Sequence, residues 1–129
     1  ASNKCLDMFR EMFLVTGLAK VREGDASAVD AKEVLKMATV NGAQVMGLKD
    51  SDVLASGKYA DMIRIDLKQP NMQPIHNICK NLVYSGSKTD VKMTMVNGKI
   101  LYENGAFAEE LQAGRIYRTC EEITRKLCS

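Results

Sequence analysis

The apolar positions of this chain first recur at helical spacing, then alternate, then return to helical spacing, and each change of period marks a change of element. Phe9, Met12 and Phe13 follow Leu6 on one helical face, while Lys4, Asp7, Arg10 and Glu11 take other faces. This predicts a first helix capped by Ser2 or Asn3, running to about Val21 and ended by Arg22-Glu23-Gly24-Asp25. Asp30 with Glu33 has the arrangement of a capping box and opens a second helix that carries Val34, Leu35 and Ala38 inward. Asn41-Gly42 then predicts a break, or a bend into a short third helix over Ala43 to Met46.

The period switches to two at Asp61 to Leu67, where Ile63, Ile65 and Leu67 fall on one face and Met62, Arg64 and Asp66 on the other. Gly57, in the turn before it, supplies a conformation that other residues resist. Pro70 and Pro74 make the following segment a connection without regular hydrogen bonding. Asn77 is placed to cap a short helix with Ile78, Leu82 and Val83 facing inward and Ser85-Gly86-Ser87 ending it. Val91 to Val96 and Lys99 to Glu103 alternate on either side of Asn97-Gly98, a strong hairpin signal, and a second Asn-Gly follows at Asn104 and Gly105. Ile116, Cys120, Ile123 and Leu127 form the stripe of a closing helix that starts near Gly114. The pattern therefore predicts an α+β chain with helices first, three strands later and a helix last.

Composition narrows the chemistry. With 129 residues, 46% of them hydrophobic, the chain can bury a core and is too apolar to be disordered. Its 18 basic and 16 acidic residues are scattered, and its three phenylalanines and four tyrosines do not interleave with basic positions, so no nucleic-acid surface is expected. Apolar runs such as Met12 to Val15 fall far short of the roughly 20 residues that span a bilayer, and no signal-peptide pattern opens the sequence. No membrane partner and a cytoplasmic location are expected. Cys5, Cys79, Cys120 and Cys128 lack disulfide or zinc-site spacing and read as buried free thiols. His76 is the single histidine, which excludes a His-x-His pair and a His-Glu-x-x-His helix, and it reads as a turn or surface residue. Asp61 and Asp66 lie on opposite strand faces and cannot act as a carboxylate pair. No catalytic residue and no metal ligand is expected within the chain.

Several segments together resemble the C-terminal part of metal-dependent hydrolases of the amidohydrolase superfamily, in the branch of 5-methylthioadenosine/S-adenosylhomocysteine deaminases and related chlorohydrolases. They are Ala1-Ser2-Asn3 with Leu6-Asp7-Met8-Phe9; Met37-Ala38-Thr39-Val40-Asn41-Gly42-Ala43 with Gly47-Leu48; Ser56-Gly57-Lys58 with Ala60-Asp61-Met62-Ile63; Asn81-Leu82-Val83-Tyr84-Ser85; and Val96-Asn97-Gly98-Lys99. The resemblance extends to about Phe107. It implies a TIM-like (β/α)8 barrel joined to a small β-sandwich made from both ends of the chain. Residues 1–50 are then the last barrel helix and the helices after it, 51–107 the C-terminal part of the sandwich, and 108–129 a closing helix.

The resemblance further implies a divalent metal, zinc, in the parent enzyme, held by histidines and by an aspartate in a run that would lie immediately before Ala1. No residue here matches a metal ligand of the family or its proton-shuttling glutamate. The expectation is a C-terminal fragment, inactive alone, whose parent hydrolytically deaminates a small-molecule nucleoside substrate through metal-activated water. Its partners would be the missing N-terminal part and further copies of itself, since exposed apolar faces favour self-association. Ser2 and Asn3 would be the residues nearest the substrate, whereas Asn41, Gly42, Gly57, Lys58, Asp61, Asn97 and Gly98 are motif residues with structural roles. The alternative is a free-standing binding or assembly module that reuses this tail and recruits partners through its strand edges. A chlorohydrolase or another aminohydrolase is the alternative parent.

Overall fold

A computed structural model describes residues 5–128. Helix α1, Met8–Glu23, is capped by Asp7, whose carboxylate accepts from the Phe9 and Arg10 amides at 3.1 and 3.4 Å. The cap is thus Asp7, and Ser2 and Asn3 lie outside the described residues. Gly24 ends the helix in the left-handed region at φ 64°. Phe9, Met12 and Thr16 are its buried positions, while Leu6 and Phe13, expected inside, are exposed. Thr16 is tolerated in the core because its hydroxyl donates to the Phe13 carbonyl at 2.6 Å.

Asp30 caps α2, Ala31–Lys36, by accepting from the Lys32 amide at 2.8 Å. The expected reciprocal bond from Glu33 gives way to an ion pair with Lys36 at 2.8 Å. Asn41-Gly42 does not break the helical path. Both residues are right-handed helical, and a π turn over Met37–Asn41 carries α2 into α3, Gly42–Val45, with the left-handed turn delayed to Gly47. The wider turn absorbs the change of direction that a break would have made.

Strand β1, Met62–Ile65, is shorter than its alternation, and a bulge between Arg64 and Ile65 leaves Ile63 51% exposed. The proline segment is also more structured than expected. Pro70–Met72 forms a 3₁₀ turn that buries Met72 completely, and the Asn81 side chain donates to the Met72 and Pro74 carbonyls at 2.9 and 3.3 Å. Asn77 caps α4, Ile78–Tyr84, by accepting from the Lys80 amide; Val83 is buried and Ile78 exposed.

Strands β2, Val91–Val96, and β3, Lys99–Glu103, form the expected hairpin, with Asn97 and Gly98 both left-handed at φ 49° and 76°. The second Asn-Gly does the same for a two-residue strand β4, Ala106–Phe107, which alternation over two positions cannot reveal. The sheet is therefore four-stranded and antiparallel in the order β1-β2-β3-β4. Helix α5, Ala113–Leu127, closes the chain with no buried residue.

The core is a knot of Phe9 and Met12 from α1, Ala31 and Val34 from α2, and Val83 from α4, with Ile65 and Val91 packed against it from the sheet. Gly86 is needed at its edge. A Cβ there would stand 2.5 Å from the Leu82 carbonyl oxygen and 2.7 Å from the Phe9 ring, so only glycine lets the chain leave α4 beneath α1. Buried Asp90 ties the pieces together: its carboxylate accepts from the Ser87 amide and the Asn71 side chain, each at 2.8 Å, and its carbonyl accepts from the Asp66 amide at 2.8 Å. All four cysteines are free thiols, but Cys5 and Cys79 are only half-buried and Cys120 and Cys128 are exposed, so the expectation of buried thiols fails.

Candidate functional site

The motif residues expected to be structural converge at the end of the sheet where β1 begins. Gly57, at φ 85°, reverses the chain between the acidic loop 49–56 and the strand. Lys58 reaches back across that loop, with its ammonium 2.9 Å from the Asp52 carboxylate and 3.9 Å from Asp50, and it also donates to the Lys49 carbonyl. The Tyr59 amide donates to the Asp50 carbonyl at 2.8 Å.

The next residues take hold of the hairpin turn. Antiparallel pairing of Met62 with Met95 brings Ala60 and Asp61 alongside Asn97 and Gly98. The Asn97 amide donates to the Asp61 carboxylate at 2.5 Å, and the Gly98 amide donates to the Ala60 carbonyl at 3.1 Å. A tight type of turn leaves its amides pointing outward, and this loop supplies their acceptors. Lys58, Asp61, Asn97 and Gly98 are therefore parts of one clasp that fixes the loop, the start of β1 and the β2-β3 turn to one another.

Electrostatics follow the geometry. Hydrogen bonding from Ser51 and from the Asn97 amide holds the Asp61 carboxyl below the usual carboxylate range. The bond from the Lys58 ammonium, helped by its charge, does the same for Asp52. Both carboxylates are thus committed acceptors, the opposite of a group poised to exchange a proton near neutrality. Ser51 and Asp52 are clasp residues that the sequence reading missed; the signal was the acidic run ahead of a glycine-lysine turn.

Asn41 and Gly42 are not brought to the clasp, since they lie in the helical path from the π turn into α3. Between that path and the sheet runs an open groove of about 550 Å³, where Ala38 and Thr39 face Ile63 and Met95 and the loop residues Val53 and Leu54 form a rim. His76 is exposed in the proline segment. Among the described residues no three His, Cys, Asp or Glu side chains are grouped so as to hold a metal ion, and no helix is long and apolar enough to cross a membrane.

Residues 1–101 match the amidohydrolase family. A 5'-deoxyadenosine deaminase from Methanosarcina acetivorans is 44% identical over 104 residues, covering 81% of this chain and 24% of that protein. The 5-methylthioadenosine/S-adenosylhomocysteine deaminase 1 of Archaeoglobus fulgidus is 37% identical over 127 residues, covering 98% and 30%. Among solved structures, a zinc-bound adenosine deaminase from Xanthomonas campestris superposes on the whole chain with a TM-score of 0.88 at 30% identity, over 30% of its own length. The chain spans less than a third of the length of these relatives. Its helices and antiparallel sheet are an α+β portion of the same fold, and the chain belongs to the amidohydrolase family.

Proposed function

We propose that this chain is the C-terminal structural part of a metal-dependent aminohydrolase that releases ammonia from a purine nucleoside-type substrate of the 5-methylthioadenosine/S-adenosylhomocysteine kind. The observation that carries this reading is the identity of 44% and 37% to deaminases of adenosine derivatives. The clasp, formed by the motif residues themselves, supports it.

On this reading residues 1–50 contribute the last barrel helix and its successors, 51–107 half of a companion sandwich, and 108–129 a closing helix. Helix α1 is apolar nearly all round, with Leu18 and Val21 exposed as well as Phe9 and Met12 buried. Such a helix belongs between two layers, and the rest of the polypeptide supplies the second. The clasp then holds the sheet rigid where it meets that body. A divalent metal such as zinc would supply the Lewis acid of the reaction; the described residues do not fit one, and on this reading its ligands would come from the rest of the protein. Ser2 and Asn3, just ahead of α1, are the residues of this chain nearest the substrate.

The test is ammonia release by the whole protein carrying these residues, with 5'-deoxyadenosine, 5-methylthioadenosine and S-adenosylhomocysteine as substrates. Turnover of at least one, lost on chelation and restored by zinc, is expected. No ammonia from any of them in the zinc-loaded protein would contradict the reading.

A further inference from the structure

The chain holds three Asn-Gly pairs, and the fold restrains them very unequally. Asn41, Asn97 and Asn104 are all exposed, so exposure does not separate them. What separates them is how the following glycine amide is held. The Gly42 amide donates to the Thr39 carbonyl within the helical path from the π turn into α3. The Gly98 amide donates to the Ala60 carbonyl at 3.1 Å, and the Asn97 amide is gripped by Asp61. Gly105 instead leads into β4, a two-residue strand at the edge of the sheet, and among the described residues no acceptor meets its amide. The Asn104 amide does donate to the Lys92 carbonyl at 2.8 Å, but that leaves the Gly105 nitrogen unengaged.

We infer that Asn104-Gly105 is a site of self-modification, converting to aspartate and isoaspartate in the folded protein well ahead of the other two pairs. The Gly105 nitrogen, giving its proton to water, attacks the side-chain carbonyl carbon of Asn104. A C–N bond forms, the bond to the side-chain nitrogen breaks, and ammonia leaves with a proton taken from solvent. The five-membered imide left behind opens by adding water at either of its carbonyls. One water is consumed and one ammonia is released, with no other reactant. Glycine favours the attack because no side chain crowds its nitrogen.

Ring closure requires the asparagine to rotate out of hairpin-turn or helical geometry, so each pair reacts only after local opening, and the cost of opening follows what it breaks. At Asn104 opening releases β4, the ring pair of Tyr102 and Phe107 at 5.4 Å, and the bond from the Ala108 amide to the Leu101 carbonyl. At Asn97 it breaks the clasp and the paired ends of β1, β2 and β3. At Asn41 it unwinds the helical path next to buried Ala43. Isoaspartate also lengthens the main chain by one methylene, for which a two-residue turn has no room. The modified turn therefore lets go of β4.

Peptide mapping of the whole protein tests this, because trypsin places the three pairs in separate peptides, 37–49, 93–99 and 100–115, each with a single asparagine. The protein is aged at mildly alkaline pH, folded and in denaturant, and the conversion of each asparagine is followed by mass. In denaturant all three convert, and folding is expected to slow residues 41 and 97 at least about tenfold more than residue 104. Equal slowing at 97 and 104, or no conversion at 104 in the folded protein while the denatured chain converts it, would overturn the proposal. In the separated isoaspartyl form, amide exchange at Ala108 should be faster than in the unmodified protein, with Val34 in α2 unchanged. Unchanged exchange at Ala108 would overturn the release of β4.

Discussion

The knot of α1, α2 and α4 and the closing helix α5 are built from comparable apolar repeats, yet one is the core of the molecule and the other buries nothing. The difference lies in what surrounds each repeat. In the knot, Met72, Gly86 and Asp90 bring polar-flanked turns up against the helices and satisfy the backbone there, so Phe9, Met12, Val34 and Val83 close on one another. Helix α5 has a cleaner stripe, and its start is tied to the sheet through Glu110 and Ala108. Periodicity announces that a face will be covered; it does not say by what.

This contrast can be broken first at the knot. Met72→Ala removes a side chain with no exposure, and a loss of about 3 kcal/mol in unfolding free energy is expected from denaturant titration. Gly86→Ala forces a methyl group into the Leu82 carbonyl and the Phe9 ring and should cost about 2 kcal/mol by the same measurement. A smaller effect is expected of acid on the clasp. Because the carboxyls of Asp52 and Asp61 are held below their ordinary range, their contribution is fully present above the unfolded-state value near pH 4 and is lost as pH falls through the lower folded-state values. Amide exchange at Asn97 and Gly98 should therefore accelerate, relative to intrinsic rates, as pH drops below about 4, ahead of the amides inside α2. At the far end of the scale, Ile123→Glu should change unfolding free energy by less than about 0.5 kcal/mol, since no buried contact of α5 is lost.

Local signals were the most legible in the sequence. Asn97-Gly98 needs only its own two residues to adopt left-handed backbone, and both the turn and its strands stand where the pattern puts them. The α1 face was legible only in part, because Leu6, Phe9, Met12, Phe13 and Leu18 offer several apolar faces and tertiary packing chooses among them. Asn41-Gly42 misled because a π turn lets the helix continue through residues that usually stop one. The clasp residues could be named from their motifs, but their contact could not: Asp61 and Asn97 are 36 positions apart and meet only through the β1-β2 register.

On the proposed reading the clasp holds the architecture without touching the reacting atoms, and Asp61→Asn in the whole protein puts that role to the test. The substitution keeps the shape of the side chain and removes the charge that binds the Asn97 amide. The account predicts a lower unfolding midpoint together with unchanged kcat for ammonia release at a temperature well below unfolding. An unchanged midpoint with a collapse in kcat would contradict it.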